Sequence, residues 1–233
     1  MICLFLTASA LTAFEWTIDM PTSGGSVRSI AVDSSDNLYA TGYFAKDITV
    51  NGELVPAKSR LSSQGDFMLF SFTSAGTIRW FRYGGGKTMS SGNCIAIYRD
   101  FVYVTGQFTN DIEFSGGKKL QGDGGDEALT LVLDKQDNIV IGGIFYGKMT
   151  IGQNILVSAS RDKNDAFVAK FSKDGKPLWA YSGGGKKWDS INSVVVDSKG
   201  TVYAGGMYED TAGFGPTVLT SRGYASFFIS KIK

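Results

Sequence analysis

The sequence has 233 residues, 43% of them hydrophobic and 19% charged, with a formal net charge of +1. That composition is globular and long enough for one sizeable core, without the basic excess that nucleic acid or an anionic membrane selects. Histidine is absent and the only cysteines are Cys3 and Cys94, which removes the commonest general base and argues against a disulfide framework or a zinc site.

Met1 to Ala13 is the most apolar stretch. Its small residues, Ala8-Ser9-Ala10 and Thr12-Ala13, fit either a secretory-signal remnant or an ordered N-terminal strand. It is too short to cross a membrane as a helix. Residues 14–233 read as one domain. Phe14 to Ile18, followed by Gly24-Gly25, looks like the last strand of a repeat unit whose other strands do not precede it.

The first complete hairpin runs from Ile30-Ala31-Val32 through the turn Asp33-Ser34-Ser35-Asp36-Asn37 to Leu38–Phe44. Asp, Ser and Asn favour tight turns, and the β-branched, aromatic, alternating flanks are strand chemistry. It returns at Ile95–Phe108, at Leu131–Phe145 around Asp137-Asn138, and at Val194–Tyr208 around Lys199-Gly200. In each second strand a glycine lies two positions before an aromatic: Gly42, Gly106, Gly143 and Gly206. Glycine inside a strand marks a bulge or a close backbone approach.

A second hairpin, Asp66–Phe72 then Ile78–Tyr83 with Gly84-Gly85-Gly86, recurs at Asp165–Phe171, Leu178–Tyr181 and Gly183-Gly184-Gly185. Trp80 and Trp179 are 99 residues apart, Tyr103 and Tyr203 100, and Asp33 and Asp134 101. The chain therefore divides into two halves with two units in each. Between hairpins lie small inserts around Ile48–Gly52, Ile112–Gly116, Met149–Gly152 and Gly213–Gly215, expected as extra hairpins on one face. Ala128–Asp134 fits either the third strand of unit two or the first of unit three.

Self-similarity at this period, without helical periodicity, points to an all-β propeller of four-stranded antiparallel blades, about four to five of them. Ala225–Lys231 matches the third strand of a blade. The orphan strand around Trp16 is expected to pair with this C-terminal blade and close the ring, leaving no free sheet edge.

The combined pattern, represented by Asp33–Phe44 and by Asp165–Gly184, resembles the SBBP family, the beta-propeller repeats of secreted and surface bacterial proteins. The resemblance covers roughly residues 14–233. It implies an extracellular or cell-surface scaffold or binding module for a protein or carbohydrate ligand, with no catalytic residue and no cofactor. The family name implies seven blades where this chain supplies about four units. A partial propeller completed by oligomerisation is therefore one alternative to a monomer.

Five residue sets could carry chemistry. Gly84-Gly85-Gly86-Lys87-Thr88 has a phosphate-loop flavour, but Phe81 stands where the first glycine belongs, and a strand precedes it with another expected after it. Asp33/Asp36/Asn37, Asp134/Asp137/Asn138 and Asp197/Gly200/Thr201 lack the alternating ligands of a calcium loop, so turn chemistry explains them and no metal is expected. Asp66, Asp126 and Asp165 precede equivalent strands, with Tyr224 in the fourth place. They are the carboxylates a propeller hydrolase or lyase would need, since glycosidases use a converging pair; repeated turn residues are the simpler reading. Trp16, Trp80 and Trp179 read as packing residues rather than sugar platforms, and Lys118-Lys119 and Lys186-Lys187 as solvated turns.

Overall fold

The computed structural model describes residues 16–19, 24–59, 65–121 and 125–232. Met1–Ala13, read above as signal remnant or strand, lies outside the described residues, as do Phe14 and Glu15. Among the described residues there is no helix; twenty-one strands pair antiparallel throughout. No helix among them is long and apolar enough to cross a membrane.

The strands fall into four units. Unit I holds β1 (Gly25–Val32), β2 (Leu38–Phe44), the insert β3 (Ile48–Val50) and β4 (Glu53–Val55), then β5 (Asp66–Phe72) and β6 (Ile78–Gly85). Unit II holds β7 (Ser90–Tyr98), β8 (Phe101–Phe108) and the insert β9 (Asp111–Phe114) and β10 (Lys119–Gln121). Unit III repeats unit I as β11 (Glu127–Leu133), β12 (Ile139–Phe145), β13 (Lys148–Ile151), β14 (Asn154–Val157), β15 (Asp165–Phe171) and β16 (Pro177–Gly185). Unit IV holds β17 (Asp189–Val196), β18 (Val202–Tyr208), the insert β19 (Thr211–Phe214) and β20 (Thr217–Thr220), then β21 (Ser226–Ile232).

The Asp-led turns make the first hairpins. Asp33 Oδ1 accepts the backbone N–H groups of Ser35 and Asn37 at 2.9 Å each, and Asp36 takes a φ of 60°. Asp134 and Asp197 hold their turns in the same way. The strand glycines answer a bulge. In all four hairpins the ladder slips by one residue opposite Gly42, Gly106, Gly143 or Gly206. A Cβ on any of these would lie 1.8–1.9 Å from the carbonyl oxygen of Ser26, Ser91, Glu127 or Ser190.

Ala128–Asp134 is resolved in favour of unit III. β11 pairs along its length with β12 and meets β8 only at Glu127–Gln107. Unit II therefore has two main strands, units I and III four, and unit IV three. The inserts are hairpins as expected, and two of them extend a preceding sheet: β9 pairs with β6, and β19 with β16.

The core is layered. β7 packs on the face of unit I, and β17 on the face of unit III, where Val140, Val168, Ile191, Val194 and Phe228 are buried. The other face of unit I buries Phe44, Phe70 and Phe72 with Ile48, Val50 and Val55 of its insert. Unit III does likewise with Phe145, Phe167 and Leu156.

Closure through Trp16 is not found. Trp16–Asp19 is not a strand, and the Trp16 indole N–H donates to Ser74 O, 3.1 Å away in the β5–β6 turn of unit I. Ile18 packs on the unit I core. Among the described residues β21 pairs only with β18, and β1 only with β2. The indole found an apolar shelf and a carbonyl beside Gly76 in its own unit. Among the described residues both sheet edges stay open.

Candidate functional site

The inserts and the links between units gather at one end of the strands, and there unit I and unit II enclose a cleft of about 470 Å³. It is lined by Lys58, Gly85, Gly86, Lys87, Asp111, Glu113 and Lys119. Its floor is the glycine tail of β6. Gly85 pairs with Glu113, and a Cβ there would lie 2.4 Å from the Asp66 carboxyl; one on Gly86 would lie 2.1 Å from Asp111 O. Close backbone approach thus explains the glycines without a phosphate loop. Gly84 and Gly85 are strand, another strand follows, and the Thr88 hydroxyl donates to Thr109 O.

Asp66 positions the first lysine. It is buried and accepts the backbone N–H groups of Lys58 and Ser59. Burial raises its carboxyl pKa, and those two hydrogen bonds oppose the rise. The loop so pinned carries Lys58, whose Nζ lies 3.2 Å from Glu113 Oε2; Lys119 Nζ lies 3.6 Å from Oε1. The hydrogen bond from Lys58, then the charges of both lysines, hold the Glu113 carboxyl below its ordinary range. Lys119, read from sequence as part of a solvated turn, is a wall residue. Lys87 makes no ion pair with a described residue.

The second half of the chain supplies a control. Asp165 accepts the N–H of Ala159 as Asp66 accepts that of Lys58. Gly184 pairs with Gly213 as Gly85 pairs with Glu113, and Gly213 with Val218 as Glu113 with Lys119. The same backbone therefore forms with alanine, glycine and valine at those three charged positions. Exposed ion pairs contribute about 0–1 kcal/mol each, so neither fold nor stability accounts for the charges. Chemically, ammonium groups at the mouth of a cleft suit a carboxylate, sulfate or phosphate.

The other predicted positions fall elsewhere. Asp66, Asp126 and Asp165 do not converge: each accepts a backbone N–H in its own unit, from Lys58, Tyr146 and Ala159. The charge of Asp165 reaches Asp189, but both side chains are buried. Burial pushes the Asp189 carboxyl up to about 6 against a hydrogen bond from Gly185, and the negative charges of Asp165 and Glu209 add to the rise. The turn carboxylates of Asp33, Asp134 and Asp197 are occupied by their turns, and no group of three metal-ligating side chains occurs among the described residues. Trp80 stands edge-on to Tyr39 and Trp179 packs against the III–IV core, so both are packing residues. Trp16 is 40% exposed.

Sequence reasoning passed over Lys58, Glu113 and Trp188. Trp188 is partly exposed beside Asp189, edge-on to Tyr146 at 6.3 Å with Lys163 Nζ 4.4 Å from its ring centre. In the first half Met89 takes its place. Aligning the two halves for their differences would have found all three. No family model matches the sequence, and no curated protein matches it.

Proposed function

We propose that the chain is a non-enzymatic propeller-type scaffold and binding module that recognises a protein or glycan at the cell surface or outside the cell. What carries the reading is the cleft of Lys58, Lys87, Glu113 and Lys119, which the other half of the repeat replaces with Ala159, Lys186, Gly213 and Val218, keeping only the one lysine. The ligand presents an anionic group there. The four bulged hairpins and face-to-face units support the propeller reading, and the resemblance to secreted repeats supports the location.

A hydrolase reading has less support, because Asp66, Asp126 and Asp165 each bond within their own unit and do not converge. A glycosidase needs a carboxyl with a raised pKa open to substrate. Glu113 is lowered, and Asp66 and Asp165 are raised but buried.

The test is calorimetric titration with uronate-bearing and sulfated oligosaccharides, an acidic peptide, and neutral counterparts of each. Binding should favour the anionic members and weaken with salt. Lys58→Ala with Lys119→Ala should weaken it at least tenfold, while Lys186→Ala leaves it unchanged. Equal binding of neutral ligands, indifference to the double substitution, or turnover of a ligand sinks the reading.

A further inference from the structure

We propose that this chain assembles head to tail with further copies of itself, the outer face of unit IV in one copy docking on the outer face of unit I in the next. The template for this contact exists once inside the chain. β7 lies between two sheets. Toward unit I, the Ile95 N–H donates to Ser29 Oγ at 3.2 Å. Toward unit III, Asn93 Nδ2 donates to Ala128 O at 3.3 Å, and Cys94 Sγ lies 4.0 Å from Leu131 O. Beneath that contact Leu131 is only 8% exposed.

β17 occupies the same place in unit IV. The Val194 N–H donates to Thr130 Oγ1 at 3.3 Å, the counterpart of Ile95 on Ser29. Its other side carries Asn192, Ser193 and Val195, the counterparts of Asn93, Cys94 and Ala96, and all three are exposed. β21 widens this face with Phe227 and Ile229, 84% and 78% exposed. In unit I, β1 matches β11, so Val27, Ile30 and Val32 stand where unit III has Ala128, Leu131 and Leu133. Ile30 is 63% exposed.

Units I and IV therefore each carry one half of a contact that units II and III make in full. The halves differ from one another, so the association is heterologous and yields rings or open chains rather than a two-fold dimer. Contiguous apolar faces of this kind mark interaction sites. Here the repeat itself also specifies what covers them.

Sedimentation velocity of the full chain over two decades of concentration should show mass rising above a single copy. Ile30→Glu and Ile229→Glu should each hold the protein at one copy with unchanged far-UV circular dichroism. Mixed, they should restore a two-copy species and nothing larger, because one intact face of each kind survives. Val32→Lys and Phe227→Ser repeat the test at neighbouring positions. A wild type that stays single at every concentration, as it does if Met1–Ala13 of the same chain covers unit I, overturns the proposal. So do oligomers that survive either substitution, or the absence of a two-copy species on mixing.

Discussion

Aspartate does two opposite jobs in this chain, and pH separates them. Asp33 caps an exposed turn; the side-chain hydrogen bond from Asn37, with those from the backbone, lowers its carboxyl pKa to about 2. Its contribution is present above the ordinary carboxylate range and is lost as pH falls toward 2. Asp189 is the reverse case. Its pKa rises in the fold from 3.8 to about 6, so its stabilising form is the protonated one. That contribution is complete below about 4 and lost as pH rises through 6. In the first half the same place belongs to Ser90, whose hydroxyl donates to Gly84 O. Asp189→Ser is therefore expected to raise stability at pH 7.5 by on the order of 2 kcal/mol relative to its effect at pH 4. Urea midpoints at the two pH values measure it, and a parallel shift at both would refute the assignment.

At the scale of elements, the bulge and its glycine act as a pair. Gly206→Ala places a Cβ 1.8 Å from Ser190 O, whereas Gly205→Ala, one residue away, meets nothing nearer than 3.7 Å. Thermal unfolding should show Gly206→Ala costing about 1–3 kcal/mol or more and Gly205→Ala far less. The repeat of strand, turn and glycine was legible because turn chemistry and alternation are local. The destination of Trp16 was not, because its strand-like flank says nothing about which sheet it meets. With 40% of its surface exposed over the β5–β6 turn, Trp16→Ala should cost about 1–2 kcal/mol. A loss of about 3–5 kcal/mol, as for a fully buried tryptophan, would return the residue to a closed ring. The cleft was hidden for a related reason: Lys58 follows the insert of unit I, Glu113 and Lys119 face each other across the insert of unit II, and the pairing of β9 with β6 brings the two inserts together.

In the whole molecule, equivalent positions diverge according to what packs over them. Ile30 and Leu131 share a strand position, an equivalent bulge and an apolar cross-strand neighbour: Ala40 faces Ile30, and Ile141 faces Leu131. Local sequence treats them alike. Unit II covers Leu131, and among the described residues of a single copy nothing comparable covers Ile30. Leu131→Ala should therefore cost about 2–5 kcal/mol, with the upper values applying if the inter-sheet layer cannot collapse into the space. Ile30→Ala should cost under about 1 kcal/mol when unfolding is followed at dilution, where each copy stands alone. Raising the protein concentration should widen the effect of Ile30→Ala toward that of Leu131→Ala, since association then buries Ile30 as unit II buries Leu131. Equal costs for the two substitutions at low concentration would mean that unit I is already covered within one chain, and the open-ended arrangement of the four units would have to be given up.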